Sequence, residues 1–194
     1  MERKAKVIRK TKETDIKLEF SLDGSGTSDI ETPVPFFNHM LESFTKHGNF
    51  DLKLIADGDI DTGCHHLVED IGICLGKAIG ESLADKEGIK RFGFMILPMD
   101  ETEVTVSLDI GGRAYLRYNV DIEYEVLDGM ETIIVEDFFR SLVSNSFINL
   151  HINKNVGLNS HHIVEAVFKA FAIALRDASR KTKSGAIPST KGLI

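Results

Sequence analysis

The sequence predicts an α+β fold built from two similar halves, and three observations carry that prediction. Segments of alternating apolar residues sit among segments of helical spacing, in clustered rather than strictly alternating order. Four sequence anchors recur in the same order at offsets near half the chain length. With 42% hydrophobic and 27% charged residues over 194, the composition is that of a globular protein able to bury a core without disulfide or zinc staples.

The repeat is read from pairs of segments. Glu13-Thr-Asp-Ile-Lys-Leu and Glu101-Thr-Glu-Val-Thr-Val both open on Glu-Thr plus an acid and then alternate, at an offset of 88. His65-His-Leu-Val-Glu69 returns as His161-His-Ile-Val-Glu165, at an offset of 96. Phe36-Phe37 echoes Phe138-Phe139, and Asp51-Leu-Lys-Leu54 echoes Asn149-Leu-His-Ile152. One compact domain of two repeats, 1–88 and 89–194, is therefore expected, with residues 85–90 as the junction.

Each half reads strand, helix, strand, helix. Residues 14–22 alternate as a strand with one buried face, and 36–47 carry apolar residues at helical spacing with His47-Gly48 as a stop. A short strand at 50–55 precedes a helix that starts at His65-His66 and runs to about Ala84. The second half repeats this at 103–110, 137–147, 148–152 and from His161-His162 to Ser179, with further β-rich sequence at 91–97 and 114–126.

Charge and cysteine usage narrow the function classes. The net charge is −7, and no Lys/Arg stripe carries interleaved aromatics, so neither nucleic acid nor an anionic membrane is an expected partner. The basic start, residues 1–10, is followed by no apolar signal region, and no run of 18 apolar residues occurs, so a soluble cytoplasmic protein is expected. Cys64 and Cys74 make no disulfide framework and read as small buried residues, although Cys64 adjoins a histidine pair and leaves a zinc-thiolate reading open.

The histidine pairs carry the chemistry. A helix turns about 100° per residue, so His65 and Glu69 share a face while His66 points aside, and His161, Glu165 and His162 repeat the arrangement. Each helix start can give a His and a Glu to one metal and a lone His to another. The spacing alone suggests two sites, His65, Glu69 and His162 for one ion, and His161, Glu165 and His66 for the other. Nitrogen and carboxylate ligands suit Mn²⁺, Fe²⁺ or Zn²⁺. His39, in Pro35-Phe-Phe-Asn-His-Met-Leu41, is a further candidate, and Ile187-Pro-Ser-Thr-Lys-Gly192 is a loop whose composition can hold a phosphate. A two-metal phosphohydrolase and a metal-assembled storage shell are the competing readings.

An ordered set of motifs then resembles one family along nearly the whole chain. These are Lys12-Glu-Thr14, Phe36-Phe-Asn-His-Met-Leu41, His65-His-Leu-Val-Glu-Asp-Ile-Gly72, Arg91-Phe-Gly93, Pro98-Met-Asp-Glu101, Gly112-Arg113, Asp137-Phe-Phe-Arg-Ser141, His161-His-Ile-Val-Glu165 and Pro188-Ser-Thr-Lys-Gly192. The sequence is similar to the imidazoleglycerol-phosphate dehydratases of histidine biosynthesis. The resemblance implies helices packed between two four-stranded sheets, trimers assembling to a 24-mer, and two Mn²⁺ per subunit, other divalent metals being possible. It implies one ion on His39, His66, His161 and Glu165, and the other on His65, Glu69, His162 and residue 137. The family pattern most often has a His at that last position; this chain has Asp137, a carboxylate competent for Mn²⁺. The implied reaction is loss of water from imidazole glycerol phosphate to give imidazole acetol phosphate, two metals binding the substrate as imidazolate. Glu13 resembles the acid that protonates the leaving hydroxyl, and a metal-bound hydroxide or Glu165 takes the carbon proton. Arg91, Arg113, Ser189 and Lys191 match phosphate-binding residues, and His47 and Lys169 match further substrate contacts.

Overall fold

The computed structural model describes residues 3–61, 63–183, 185–192 and 194. The first half forms β1 (Lys4–Lys10), β2 (Thr14–Ser21), β3 (Thr27–Glu31), α1 (Pro35–Gly48), β4 (Asp51–Gly58) and α2 (His65–Leu83). The second half forms β5 (Phe92–Met99), β6 (Thr102–Asp109), β7 (Tyr115–Asn119), the short β8 (Val126–Leu127) and β9 (Met130–Glu131), then α3 (Ile134–Ser146), β10 (Asn149–Val156) and α4 (Ser160–Ser179).

Two four-stranded sheets share one wiring. The orders are β1-β2-β4-β3 and β5-β6-β10-β7, and β8 pairs with β9 in a separate ribbon. In each sheet the first three strands of the order are antiparallel neighbours and the fourth is parallel to the third. The central strands have the alternation that buries one face: Ile16, Leu18 and Phe20 of β2, Leu52 and Leu54 of β4, Val104 and Val106 of β6, and Leu150 and Ile152 of β10 are all buried.

Those faces cover four helices. α2 lies on β1, β2 and β4, α4 lies on β5 and β6, α1 packs on α4, and α3 packs on α2. A chain of ring contacts crosses the interior from Phe20 of β2 to Phe44 of α1, Phe171 of α4, Phe139 of α3 and Tyr118 of β7, with centroids 5.4–6.4 Å apart. Helices between two sheets, in an α+β fold, is thus what the chain forms. Among the described residues no helix is long and apolar enough to cross a membrane.

Backbone approach sets the spacing of α2 and α3. A Cβ at Gly72 would lie 2.7 Å from the Phe138 carbonyl oxygen, and one at Gly76 would lie 2.4 Å from that of Leu142. At Gly80, one turn on, the nearest atom is the Asn145 carbonyl oxygen at 3.5 Å, an ordinary contact.

Several elements depart from the sequence pattern. The basic start is strand β1, an edge strand on which only Val7 is buried; Lys4, Lys6 and Lys10 form its outward face, while Arg9 turns inward to Asp70. β3 is also an edge strand, exposed and polar, and shows no alternation to read. Each half therefore holds more strands than strand, helix, strand, helix. Within 114–126 only 115–119 is a full strand. α3 starts at Ile134 rather than 137, and α1 is ended by Asn49, whose left-handed backbone (φ 52°) turns the Phe50 N–H back to Thr45 O at 3.1 Å. Gly48 is instead needed for packing, since a Cβ there would meet the Phe50 ring at 2.1 Å.

The glycine pair on α2 gives a differential prediction. Gly76→Ala should destabilise the fold by about 1–3 kcal/mol, because a backbone carbonyl cannot yield. Gly80→Ala should stabilise it by roughly 0.5–1 kcal/mol through helix propensity. Thermal or denaturant melts of the two variants check this, and equal stabilities would contradict the helix spacing described here.

Candidate metal centre

Helix ends bring the ligand candidates together. Asn159 caps α4, its side-chain oxygen accepting from the backbone N–H of His161 (2.9 Å) and His162 (3.3 Å), which fixes both histidines on the first turn. One turn later Glu165 lies under His161, with His161 Nε2 at 3.2 Å from Glu165 Oε2. α1, packed alongside, adds His39, whose Nε2 is 3.6 Å from the same oxygen. The His161 ring is held edge-on by Phe36, centroids 5.1 Å apart.

His39, His161 and Glu165 therefore converge: their ligand atoms all lie within 4.8 Å of one another, the group among the described residues able to hold a metal ion. Cis ligands of an octahedral ion with bonds of about 2.2 Å stand about 3 Å apart, so two nitrogens and a carboxylate at this spacing fit a divalent cation. The other Glu165 oxygen takes Lys169 Nζ at 2.7 Å and Ser43 Oγ at 3.5 Å. Burial pushes the Glu165 carboxyl up, but the Lys169 hydrogen bond and charge, with His39 and His161, outweigh burial and hold it below its ordinary value.

The second half-site repeats the first on α2 and α3. His65 Nε2 is 3.4 Å from Glu69 Oε2, His65 Nδ1 is 3.8 Å from Asp137 Oδ2, and Ser141 Oγ is 3.4 Å from Glu69. Here the two carboxylates meet opposite nitrogens of one imidazole, so the three do not converge on a point. All three side chains are about 40–50% exposed, whereas that of Glu165 is 10% exposed. The contacts pair His39 with Asp137 and Ser43 with Ser141. The Phe36-Phe37 and Phe138-Phe139 echo is thus out of register with the repeat that builds the sites.

His66 and His162 turn the other way, as the helical angle requires. His66 Nδ1 lies 4.0 Å from Glu13 Oε2, and His162 Nδ1 lies 2.8 Å from Glu101 Oε2 with Asp100 3.8 Å from its other nitrogen. The hydrogen bond with His162 pulls Glu101 down to about 2 and raises His162. Neither outward histidine reaches a half-site of its own chain. Glu101 was given no role by sequence reasoning, yet its offset of 88 from Glu13 was the signal that marks it as the partner of the second outward histidine. Ser43 and Ser141 carried no such signal.

The phosphate candidates gather at the far end of the molecule. Arg91 holds Asp109 through two hydrogen bonds (2.7 and 3.2 Å) and donates to the Pro188 carbonyl at 2.9 Å, which places it beside the loop of Ser189 and Lys191. Within the loop, Ser189 Oγ accepts the Lys191 N–H at 3.2 Å. Arg113 is exposed just after β6, at the same end of the β5–β6 hairpin. The Arg91 N–H is bonded to Ala178 O near the end of α4, seventeen residues and about 26 Å of helix from His161. Lys169 lies instead with Glu165. His47 is there too, lowered by desolvation and by the charge of Lys169.

Cys64 joins no group able to hold a metal among the described residues. It is buried, its Sγ faces the Gly129 carbonyl at 3.6 Å, and burial raises its pKa.

Fold and site define an α+β protein with two related histidine and carboxylate clusters, one of them with the spacing to hold a cation. Comparison with known proteins makes this specific. The family model for imidazoleglycerol-phosphate dehydratase matches residues 32–175. The imidazoleglycerol-phosphate dehydratase of Thermodesulfovibrio yellowstonii is 57% identical over 99% of this chain and 100% of its own length, and that of Bacillus subtilis is 47% identical over 99% and 100%. The crystal structure of the Staphylococcus aureus enzyme superposes with a TM-score of 0.84 at 40% identity, covering 92% of this chain and 99% of that one. That of the Pyrococcus furiosus enzyme, in complex with (S)-C348, gives 0.84 at 37%, covering 97% and 100%. The chain belongs to the imidazoleglycerol-phosphate dehydratase family. It is a hydro-lyase of histidine biosynthesis that removes water from imidazole glycerol phosphate.

The thiols give a prediction with a sign. Burial pushes Cys74 up to about 11 and raises Cys64, so both are protonated at pH 8 and poor nucleophiles. Iodoacetamide should leave both unmodified in native protein and alkylate both in urea, read by mass spectrometry. Rapid native labelling of Cys64 would contradict its burial.

Proposed function

We propose that the dehydration runs at sites shared between subunits, each with two Mn²⁺. His39, His161 and Glu165 would hold one ion together with His66 from a neighbouring subunit. His65, Glu69 and Asp137 would hold the other with an incoming His162. The separation of about 26 Å between the ligand end of α4 and Arg91 carries this reading. The substrate spans only about 10 Å from ring to phosphate, so one chain cannot grip both ends. A neighbour's Arg91, Arg113, Ser189 and Lys191 would hold the phosphate, and His47 and Lys169 would line the path between. The outward set of His66 and His162 points the same way.

Cations held by these residues would act as Lewis acids on the imidazole ring and favour loss of its N–H proton. Glu13, exposed and facing His66, delivers a proton to the departing hydroxyl. Glu165 has both oxygens engaged and a depressed pKa, which favours its ligand role over that of proton acceptor at carbon. The donor set of nitrogen and carboxylate fits Mn²⁺ and also related divalent ions. Assembly as trimers within a 24-mer would close all sites. Residues 1–88 and 89–194 read as copies of one unit, supported by the common strand order. Two buried free cysteines suit a reducing cytoplasm.

Two outcomes follow for metal. Asp137→Ala should lower the content after dialysis from two Mn²⁺ per subunit toward one and remove most activity, with Glu136→Ala as the unaffected neighbour. Equal metal content in Asp137→Ala and wild type would exclude Asp137 as a ligand. Complete chelation should shift the particle from a large shell toward trimers on light scattering, reversed by Mn²⁺. An unchanged size would count against shared ligands.

A further inference from the structure

A hydrogen-bond chain outside the ligand clusters ends on the backbone of Glu13. It starts at Asp70, the α2 residue next to Glu69, which is only 8% exposed and is paired with Arg9 of β1 at 2.8 Å. Thr14 Oγ1, itself 4% exposed, donates to Asp70 Oδ2 at 2.6 Å. A carboxylate paired with an arginine only accepts, so the Thr14 hydroxyl hydrogen is committed to Asp70. The 3.1 Å contact between the two hydroxyls must then be donated by Thr11. With its own hydrogen committed, Thr11 Oγ1 presents lone pairs and accepts the N–H of Glu13 (3.1 Å) and of Thr14 (2.9 Å). The direction of every bond is fixed from the buried end outward.

We propose that Asp70, through Thr14 and Thr11, is a positioning residue that fixes the Glu13 turn against α2, so that the Glu13 carboxylate stays free and facing His66. The inference rests on the reading of Glu13 as proton donor. The second repeat supplies the contrast. At the repeat offset from Asp70 stands Ala166, and at that from Arg9 stands Leu97. There Thr102, the counterpart of Thr14, donates to the Glu101 carboxylate itself at 3.1 Å, which also accepts from the Asn159 N–H and meets His162. Glu101 is clamped at its carboxylate; Glu13 is clamped at its backbone and leaves its carboxylate for chemistry.

The test uses the full-length Mn²⁺-loaded enzyme, with kcat, KM and metal content measured for Thr14→Val, Thr14→Ser and Glu13→Gln and for the Thr14→Val, Glu13→Gln pair. Misplacing a reacting group by about 1 Å can cost on the order of 100-fold, so Thr14→Val should lower kcat by roughly 10- to 100-fold with KM and metal content near wild type. Thr14→Ser, which keeps the hydroxyl, should restore it. In the Glu13→Gln background Thr14→Val should add no further loss, since the network acts only through Glu13. An equal loss in both backgrounds would mean a general structural role and overturn the proposal, as would wild-type kcat in Thr14→Val beside an inactive Glu13→Gln. Full activity in Glu13→Gln would instead refute the acid assignment on which the proposal rests, and the proposal with it. Should Thr14→Val not fold, Thr11→Val, at an exposed position, removes the acceptor for the Glu13 N–H and carries the same outcomes.

Discussion

The pairing of helices, α1 with α4 and α2 with α3, is the constraint on which the rest of the structure depends. Neither half-site is made by a single element. His39 reaches Glu165 because α1 lies along α4, and Asp137 reaches His65 because α3 lies along α2. The second approach requires glycine at 72 and 76, where carbonyls of α3 occupy the space a side chain would fill. The sheets serve this pairing by burying the outer sides of α2 and α4, and the aromatic chain from Phe20 to Tyr118 fills what lies between.

Adjacent histidines at a helix start then divide their loyalties. With about 100° between them, one looks into its own half-site and the other looks out. Each chain thus offers two three-residue clusters and two outward histidines, the arrangement from which the proposal of shared sites is drawn. The halves are not equivalent in use. Glu165 is buried and held by Lys169, while Glu69 and Asp137 stand open around His65. The outward histidines differ as well, His162 bound to Glu101 at 2.8 Å and His66 standing 4.0 Å from Glu13.

Much of this was legible in the sequence because it rests on periodicity. The central strands show their alternation, α2 and α4 show their spacing, and the i to i+4 relation of His to Glu follows from helix geometry alone. What was hidden lacks such a pattern. β1 and β3 are edge strands with little buried surface, so their residues read as charged or polar coil. The start of α3 at Ile134 has no side-chain cap to mark it. The adjacent phenylalanines of α1 and α3 stand out of register with the paired ligands, because core aromatics recur for packing and not for equivalence. The distance from His161 to Arg91 could not be read at all, since it depends on which end of α4 meets which end of the β5–β6 hairpin.

Division of the substrate between subunits is tested most directly by mixing two inactive proteins. One carries Lys191→Ala in the proposed phosphate loop; the other carries His161→Ala in the candidate metal group. Co-assembled, some sites would join intact ligands from the first to an intact phosphate loop from the second. Shared sites predict dehydratase activity in the mixture far above that of either parent. A mixture no more active than the sum of its parents would show that ring and phosphate are bound within one chain.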